Sequence, residues 1–359
     1  MMVAEYQRPP VRVALMGLGR AMFADHVSIF KRHPALFKVV AACDLKKDRR
    51  DLIAKDFPDC KMFRRFSDML DERNIDIVDI ASCSVDHVKH AVMSLQKGFW
   101  TLIETPMALT PDDAQILRGQ AMKSRNRLLV MHRGLFSSDY LLARQMMQDS
   151  RLGRIYQVRI RKEDYIRRDD WQCVKRLGGG AAYYAMSDLV LQALKLLPVP
   201  PIQMWSELKR VASLGDAEDF AHLNLKTREV VSADIEFNGG CISPERAPSF
   251  ELRGERGVFK VFEGERTGTL TALEPSFKLK RRRASVRTPS LKDMHERVPT
   301  ICEKINLPAN TLSGQAAFWR CVYDTVRTAS PFPLTVEDSI ESLKFVYLMK
   351  KTSPFGYGK

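Results

Sequence analysis

A short apolar run at residues 11–17, VRVALMG, breaks off at Gly17-Leu18-Gly19 and gives way to a helix-compatible stretch that reaches about His33. A buried strand, a turn that needs glycine and a helix opening directly from it form the start of a strand–helix–strand unit. A second apolar run, residues 39–43, ends on Asp44, 22 residues after Met22. Glycine lets the backbone approach a diphosphate, and a helix start supplies N–H groups and the positive end of a dipole. An acid closing the second strand binds the hydroxyls of a ribose. The segment Gly17, Leu18, Gly19, Arg20, Ala21 and Met22, together with Asp44, is therefore expected to hold a dinucleotide. The acid at 44 favours NAD, because a 2′-phosphate would meet its negative charge, while Lys46 and Lys47 leave room for NADP. Met22 stands where the fingerprint has its third glycine, and is expected to loosen helix–strand packing or shift the dinucleotide.

The alternation continues with strand-like runs at 77–81, 99–103 and 127–131, separated by polar-faced helical segments, which implies a parallel sheet covered on both faces. After about residue 150 the rhythm changes. Residues 155–162 alternate apolar with polar, one long helical segment spans 181–197, and strand candidates follow at 203–211, 221–225, 230–237, 250–253, 258–262 and 269–273. An open, mostly antiparallel sheet with one covered face fits that run. Helical segments at 315–328 and 336–351 are expected to return to the first domain. The fold class expected is α/β: a doubly wound Rossmann domain over 1–132, then an α+β substrate and oligomerisation domain over 133–359.

With 359 residues, 45% of them apolar and 28% charged, the chain is too long for one small core and too apolar for disorder. Its formal net charge of +14 favours anionic small molecules, nucleic acid or acidic surfaces, without choosing among them. Seven cysteines lie scattered with no CxxC or metal-type spacing, so reduced thiols, no metal and a cytoplasmic location are expected. No uncharged apolar run approaches the roughly 20 residues of a membrane span, and the start, MMVAEYQRPP, lacks the apolar segment of a signal peptide.

Further along, VALMGLGR, AACDL, IDIVDIAS followed by His87, and Gly98 leading to LIETP are joined by Asp170-Trp171 and by Gly178-Gly179-Gly180 before a helix. The tail reads FWRCVYDTVRTASPFPLTVEDSIESL. In this order and spacing, over about residues 11 to 350, the chain resembles the glucose-fructose oxidoreductase and inositol dehydrogenase family, Gfo/Idh/MocA. The resemblance implies an NAD(P)-dependent oxidoreductase that moves a hydride between nicotinamide and a sugar, polyol or related carbonyl compound. It also implies a homodimer or homotetramer built on the second sheet. Ser82, Cys83, His87 and the Glu104-Thr105-Pro106 stretch would then lie near the cofactor, with His87 either touching the nicotinamide side or serving in packing.

The chain departs from the family at three places. The family's Glu-Lys-Pro is Glu104-Thr105-Pro106, and a threonine carries no positive charge and is no ordinary acid near neutral pH. The Asp and the His that follow the family's glycines, four residues apart, are Tyr184 and Asp188. One reading is a different proton donor: Tyr184 and Asp188 share a helix face, so the carboxylate would orient or polarise a phenol. Tyr183, about 100 degrees away, would then be core. Biliverdin reductases are similar in lacking the lysine and in carrying a Glu-x-Pro-Met stretch. The alternative is a non-catalytic pseudoenzyme, a nucleotide- or ligand-sensing regulatory protein of the same fold.

Trp171 is expected to stack on a sugar ring or exclude water, or simply to anchor its loop. Arg168 and Lys175, in a stretch with Arg161 and Arg167, are candidates for a substrate carboxylate or phosphate. Lys278, Lys280, Arg281, Arg282, Arg283 and Arg287 form a basic block. Without aromatic interleaving or a zinc or helix-turn-helix pattern, it is expected to be a solvated or inter-subunit segment and not a nucleic-acid site.

Overall fold

A computed structural model describes residues 8–243, 245–279, 298–353 and 355; of the basic block, residues 280–283 and Arg287 lie outside them. The first half contains β1 (Val11–Met16), α1 (Ser28–Arg32), β2 (Phe37–Cys43), α2 (Lys47–Asp56), β3 (Lys61–Phe63), α3 (Phe66–Met69), β4 (Ile77–Ile80), α4 (His87–Gln96), β5 (Trp100–Ile103), α5 (Pro111–Lys123) and β6 (Leu128–Val130). The strands pair in parallel in the order β3-β2-β1-β4-β5-β6. Val11, Val13, Ala14 and Leu15 of β1 and all of β4 are buried, as expected of strands covered by helices on both faces. Strand order reverses between β1 and β4, which opens a crevice beyond their carboxyl ends. β3 is a three-residue edge strand of partly exposed residues, too short to stand out in the sequence.

The second half contains α6 (Ser138–Met146), β7 (Ile155–Glu163), α7 (Ala181–Tyr184), α8 (Met186–Leu196), β8 (Pro201–Lys209), β9 (Phe220–Thr227), β10 (Ser232–Asn238), β11 (Phe250–Gly254), β12 (Gly257–Val261), β13 (Thr267–Leu273), β14 (Thr300–Asn306), α9 (Gly314–Thr328) and α10 (Val336–Thr352). Its eight strands run β14-β13-β12-β11-β7-β10-β9-β8. All neighbours are antiparallel except β7 and β10, where residues 157–163 pair in parallel with 232–238. Alternation decides which face is covered. Ala221, Leu223, Leu225, Ala233, Ile235 and Phe237 are buried on the side of α6 and α8, while His222, Asn224, Asp234 and Glu236 stay half-exposed on the other.

The expected helix over 181–197 is two helices, because Ala185 (φ −116°, ψ −50°) interrupts it. The last two helices reach back to the first sheet. Trp319 of α9 is buried, with its ring 4.9 Å from Phe30, 5.5 Å from Phe37 and 5.5 Å from His26. α10 starts in a capping box, Thr335 Oγ accepting from Asp338 N–H and Asp338 Oδ2 from Thr335 N–H. It packs against α8 of the second half as well as α5 and β6 of the first, which brings its residues into the region between the two sheets.

Candidate functional site

The glycine turn closes where the sequence places it. Gly17 sits at φ +87°, and a Cβ there would come within 2.6 Å of the Ser82 backbone, so only glycine fits. A Cβ on Gly19 would meet nothing within 4 Å, which leaves that side of the turn open to a ligand. Met22 is fully buried, and the helix that carries it is a π-helix over Met22–Val27 before it tightens into α1. The missing third glycine is thus met by a wider helical turn with the methionine in the core. Asp44 accepts from Leu18 N–H at 2.9 Å and from Lys46 N–H at 2.8 Å, with the Arg49 guanidinium 3.6 Å away. A carboxylate has about four acceptor positions, so two are left for the hydroxyls of a ribose. An open glycine turn, a helix start with unshared N–H groups and a pinned carboxylate fit the adenosine diphosphate half of NAD.

At the other end of the crevice, Glu104 follows β5 and belongs to a buried charge cluster that sequence reasoning missed. His26, fully buried, places Nδ1 2.6 Å from Asp79 Oδ2 and Nε2 2.9 Å from Glu104 Oε1. Burial alone would lower its pKa, but the charges and hydrogen bonds of the two carboxylates raise it to about 10, so the ring is an imidazolium. Burial would likewise raise Glu104, yet Arg133 and His26 hold it down at about 2. Arg133 lies 3.5 Å from Glu104 and 2.6 Å from Asp25, and Gln315 of α9 donates to Asp25 at 3.1 Å. Thr105 N–H turns to Glu104 Oε2 at 3.3 Å, and the Thr105–Pro106 peptide is cis. His87 is buried with Nδ1 2.8 Å from Pro106 O and Nε2 3.0 Å from Ser82 O; burial lowers its pKa, and it ties these two loops together. The packing role, and not a free nitrogen facing the nicotinamide, is what this geometry supports. Ser82 Oγ pairs with His90 Nδ1 at 2.9 Å, and the Cys83 thiol donates to Leu177 O across to the second half.

The proposed coupling of Tyr184 to Asp188 is not formed, because the break at Ala185 takes them off one continuous helix face. Tyr184 lies under the Arg168 guanidinium, 4.8 Å from its ring, with Phe237 edge-on at 5.5 Å. Burial, followed by the charges of Asp219, Glu218 and Asp170, pushes its phenol well above the ordinary tyrosine value. Tyr183 is the core member of the pair and donates to Leu109 O at 3.0 Å. Asp188 turns to the other half instead: Oδ1 lies 2.9 Å from His132 Nδ1, and Oδ2 accepts from Gly134 N–H at 2.8 Å. His132, just after β6, went unnoticed because nothing local in the sequence marks a partner 56 residues away.

The three glycines pack between the halves. A Cβ on Gly178 would strike Leu109 and Ser84, and one on Gly180, at φ +115°, would fall 2.2 Å from Glu218 Oε1. Glu218 is buried and paired with the buried Lys350 of α10 at 2.9 Å, a second pair that sequence reasoning missed. Asp170 caps the 3₁₀ turn Trp171–Cys173 and accepts from Arg20 at 3.1 Å, so an arginine of the glycine turn reaches across the crevice. Arg168 donates to Gln172 Oε1 at 2.6 Å. Lys175 is drawn away from its expected role, with Nζ donating to Phe355 O at 2.9 Å and lying 4.2 Å over the Phe355 ring. Among the described residues no group of three or more His, Cys, Asp or Glu side chains is placed to hold a metal ion, and no helix is long and apolar enough to cross a membrane.

Comparison with known proteins agrees with this arrangement. Residues 11–132 match the GFO_IDH_MocA oxidoreductase family with an NAD-binding Rossmann fold, and residues 140–260 match the GFO/IDH/MocA C-terminal domain. The chain is similar to the scyllo-inositol 2-dehydrogenase (NADP(+)) IolW of Bacillus subtilis, 21% identical over 96% of this chain and 94% of that one. It is also similar to the D-glucoside 3-dehydrogenase of Escherichia coli, 24% identical over 72% and 76%. A match to an uncharacterised oxidoreductase of Schizosaccharomyces pombe, 28% identical, covers 53% of each chain. Among solved structures, an NAD-binding protein from Listeria innocua superposes with a TM-score of 0.79 at 17% identity over 96% of this chain and 98% of that one. The WlbA dehydrogenase of Bordetella pertussis, in complex with NADH and UDP-GlcNAcA, does so with a TM-score of 0.74 at 18% identity over 96% and 95%. With both halves matched in order, the chain belongs to the GFO/IDH/MocA family of NAD(P)-dependent oxidoreductases.

Proposed function

We propose that the chain moves a hydride between nicotinamide and a secondary alcohol or carbonyl carbon of a sugar, polyol or related compound. The observation that carries the reading is the Asp44 carboxylate, pinned by Leu18 and Lys46 N–H beside an open glycine turn. Residues 1–132 form the dinucleotide unit and 133–359 the substrate and oligomerisation unit. Gly17 to Met22 and Asp44 bind the adenosine half; Ser82, Cys83 and Glu104 to Pro106 line the nicotinamide end. Bound there, the cofactor supplies the two-electron step, and the protein supplies position and electrostatics. The imidazolium of His26 and the Arg133 guanidinium keep Glu104 ionised, so the crevice floor stays fixed and charge-compensated without the lysine that Thr105 replaces.

The second wall is Trp171, Tyr184, Asp188 and Arg168. Arg168, which donates to Gln172 Oε1 and lies over the Tyr184 ring, is the candidate on this wall for a substrate carboxylate or phosphate. The substrate class rests on the inositol and glucoside dehydrogenases among the relatives and on the sugar nucleotide in the WlbA complex. Self-association uses the open face of the second sheet, and a reducing, cytoplasmic setting accords with seven free cysteines.

The test is titration with NADH and NADPH, following nicotinamide fluorescence and thermal stability, then NAD⁺ reduction with cyclic polyols and glucosides. NADH binding with turnover supports the proposal. NADH binding without turnover of any probe favours the non-catalytic alternative, and no response to either cofactor overturns the hydride-transfer reading and leaves a ligand-sensing protein of the same fold.

A further inference from the structure

Deepening the proposed hydride transfer, we infer that His132 is the positioning residue that aims Asp188 as the proton acceptor for the substrate hydroxyl, with Ser339 behind it fixing the imidazole. Oxidising a secondary alcohol breaks a C–H and an O–H bond. The hydride leaves to the oxidised nicotinamide, and the hydroxyl proton needs a base. Thr105 is no base. Tyr184 is held as a protonated phenol by burial and three neighbouring acids, which leaves it no means of accepting a proton. Asp188 is a carboxylate with a side chain 26% exposed, the outermost member of a polar chain whose next members, His132 and Ser339, are buried.

The geometry of that chain fixes who donates. Asp188 Oδ1 lies 2.9 Å from His132 Nδ1, and His132 Nε2 lies 3.0 Å from Ser339 Oγ. The Asp188 carboxylate can only accept, so Nδ1 carries a proton and gives it to Asp188, and in the neutral ring Nε2 is then left to accept from the Ser339 hydroxyl. The other oxygen accepts from Gly134 N–H. A Cβ at position 134 would lie 2.1 Å from Gln192 Nε2 and 2.8 Å from Asp188 Oδ2, so a larger residue there would push one or both side chains out of place. Three elements, the turn after β6, α8 and α10, are thus committed to the attitude of one carboxylate. His132 and Ser339 are only 2% and 3% exposed, so neither meets substrate; both act through Asp188.

The cluster also lies at the nicotinamide end. Arg133, next to His132, interacts electrostatically with Glu104, Asp25 and Asp188 together. The charged groups that face the pair are Arg133 with Glu104 and Asp25 on one side, and the exposed Lys195–Asp338 pair beside Ser339 on the other. In the step inferred, the alcohol O–H proton passes to an Asp188 oxygen as the C–H electron pair leaves with hydrogen. The alcohol becomes a ketone, NAD⁺ becomes NADH, and the carboxyl proton is then lost to solvent.

An asparagine can donate from the position of Nδ1, whereas a glutamine places its amide where Nε2 was, so the pair H132N and H132Q separates orientation from bulk. The first readout needs no turnover: the ¹³C carboxyl titration of Asp188 in the cofactor-free protein. Losing a donor to the ionised form raises a carboxyl pKa. The midpoint is expected to rise in H132Q, to stay near wild type in H132N, and to shift less but in the same direction in S339A. The second readout is NAD⁺ reduction with whichever polyol or glucoside is turned over. H132Q should lose roughly 10- to 100-fold in kcat with unchanged NADH affinity and an acid limb moved up in pH, while H132N recovers most of it. An Asp188 midpoint unmoved in both H132Q and S339A overturns the inference whether or not a substrate is found. Absence of turnover in wild type, with the midpoint shifted as expected, counts against the hydride-transfer reading and leaves the positioning of Asp188 standing.

Discussion

A neutral histidine buried between two carboxylates would strand at least one of them, so the ionisation of His26 tests how the Glu104 end of the crevice is held. The ring rises from 6.5 to about 10 in the folded protein, and at 1.36 kcal/mol per pH unit this corresponds to roughly 5 kcal/mol of pH-linked stability. The sign follows from the direction: a base whose folded value is raised contributes fully below 6.5, and the contribution disappears as pH climbs towards 10. Asp79, which burial holds above its usual value, has the same sign, since a raised acid also loses stability as it ionises with rising pH, so it does not offset this loss and a fall of up to about 5 kcal/mol between pH 6.5 and pH 10 is expected. Glu104 works at the opposite end. Held at about 2, it contributes above 4.5 and loses that contribution only as pH falls through 2. The assay is urea unfolding of wild type and H26Q across this range, followed by circular dichroism and by tryptophan emission, since Trp319 lies 5.5 Å from the His26 ring. H26Q should be destabilised by about 3–5 kcal/mol near pH 6.5, because two buried acids lose their cation, and its stability should be flatter from 6.5 to 10. Equal slopes in the two proteins, or a His26 resonance titrating near 6.5, would falsify the charge cluster as drawn.

Replacing Asp44 by Ser removes the ribose acceptor and the repulsion of a 2′-phosphate together; NADH affinity should fall about 10- to 100-fold while the NADPH-to-NADH preference rises, and a fluorescence titration with an unchanged ratio refutes the assignment. Truncating Trp319 to Ala should cost about 3–5 kcal/mol and detach α9 from the first sheet, read as hydrogen exchange appearing first in residues 314–328; uniform exchange across the chain would contradict that picture. Lys350→Met alone strands Glu218 and should cost about 3–5 kcal/mol. The double variant K350M/E218Q should recover a good part of that loss in the same urea assay, and a double variant no better than the single shows that the pair is not coupled.

The parts of the fold that were legible in the sequence are those whose signal is local. The strand ending at Gly17, the acid ending β2 and the alternating pattern of β9 and β10 each declare themselves within ten residues, because burial on one or two faces leaves a period in the chain. β3 escaped because its three residues are partly exposed, and β14 because its residues are mostly exposed with only Ile301 and Ile305 turned to the core. Pairing between distant charges escaped for another reason. His26 meets Asp79 53 residues on and Glu104 78 residues on, and Lys350 meets Glu218 132 residues away, distances over which side-chain spacing carries no information. The error at Tyr184 and Asp188 came from assuming one continuous helix. Residues four apart share a face only while the backbone stays helical, and Ala185 breaks it.

That break explains how the site compensates for the groups it lacks. Had 181–196 been one helix, Asp188 would project beside Tyr184 and both would answer to Arg168 and the acids around it. Because α8 starts afresh at Met186, its first turn faces the loop after β6, and the carboxylate is received by an imidazole and a backbone N–H from the dinucleotide-binding half. Positive charge is relocated in the same way. Thr105 carries none, but Arg133 stands 3.5 Å from Glu104 and is itself held by Asp25. Restoring a lysine at 105 would therefore place a second cation beside the Arg133–Glu104 pair. In T105K the two cations compete for Glu104, so the variant should bind NADH no more tightly than wild type and unfold at lower urea. A T105K protein that is both more stable and more active would show that the charge at this end is deficient and not merely rearranged.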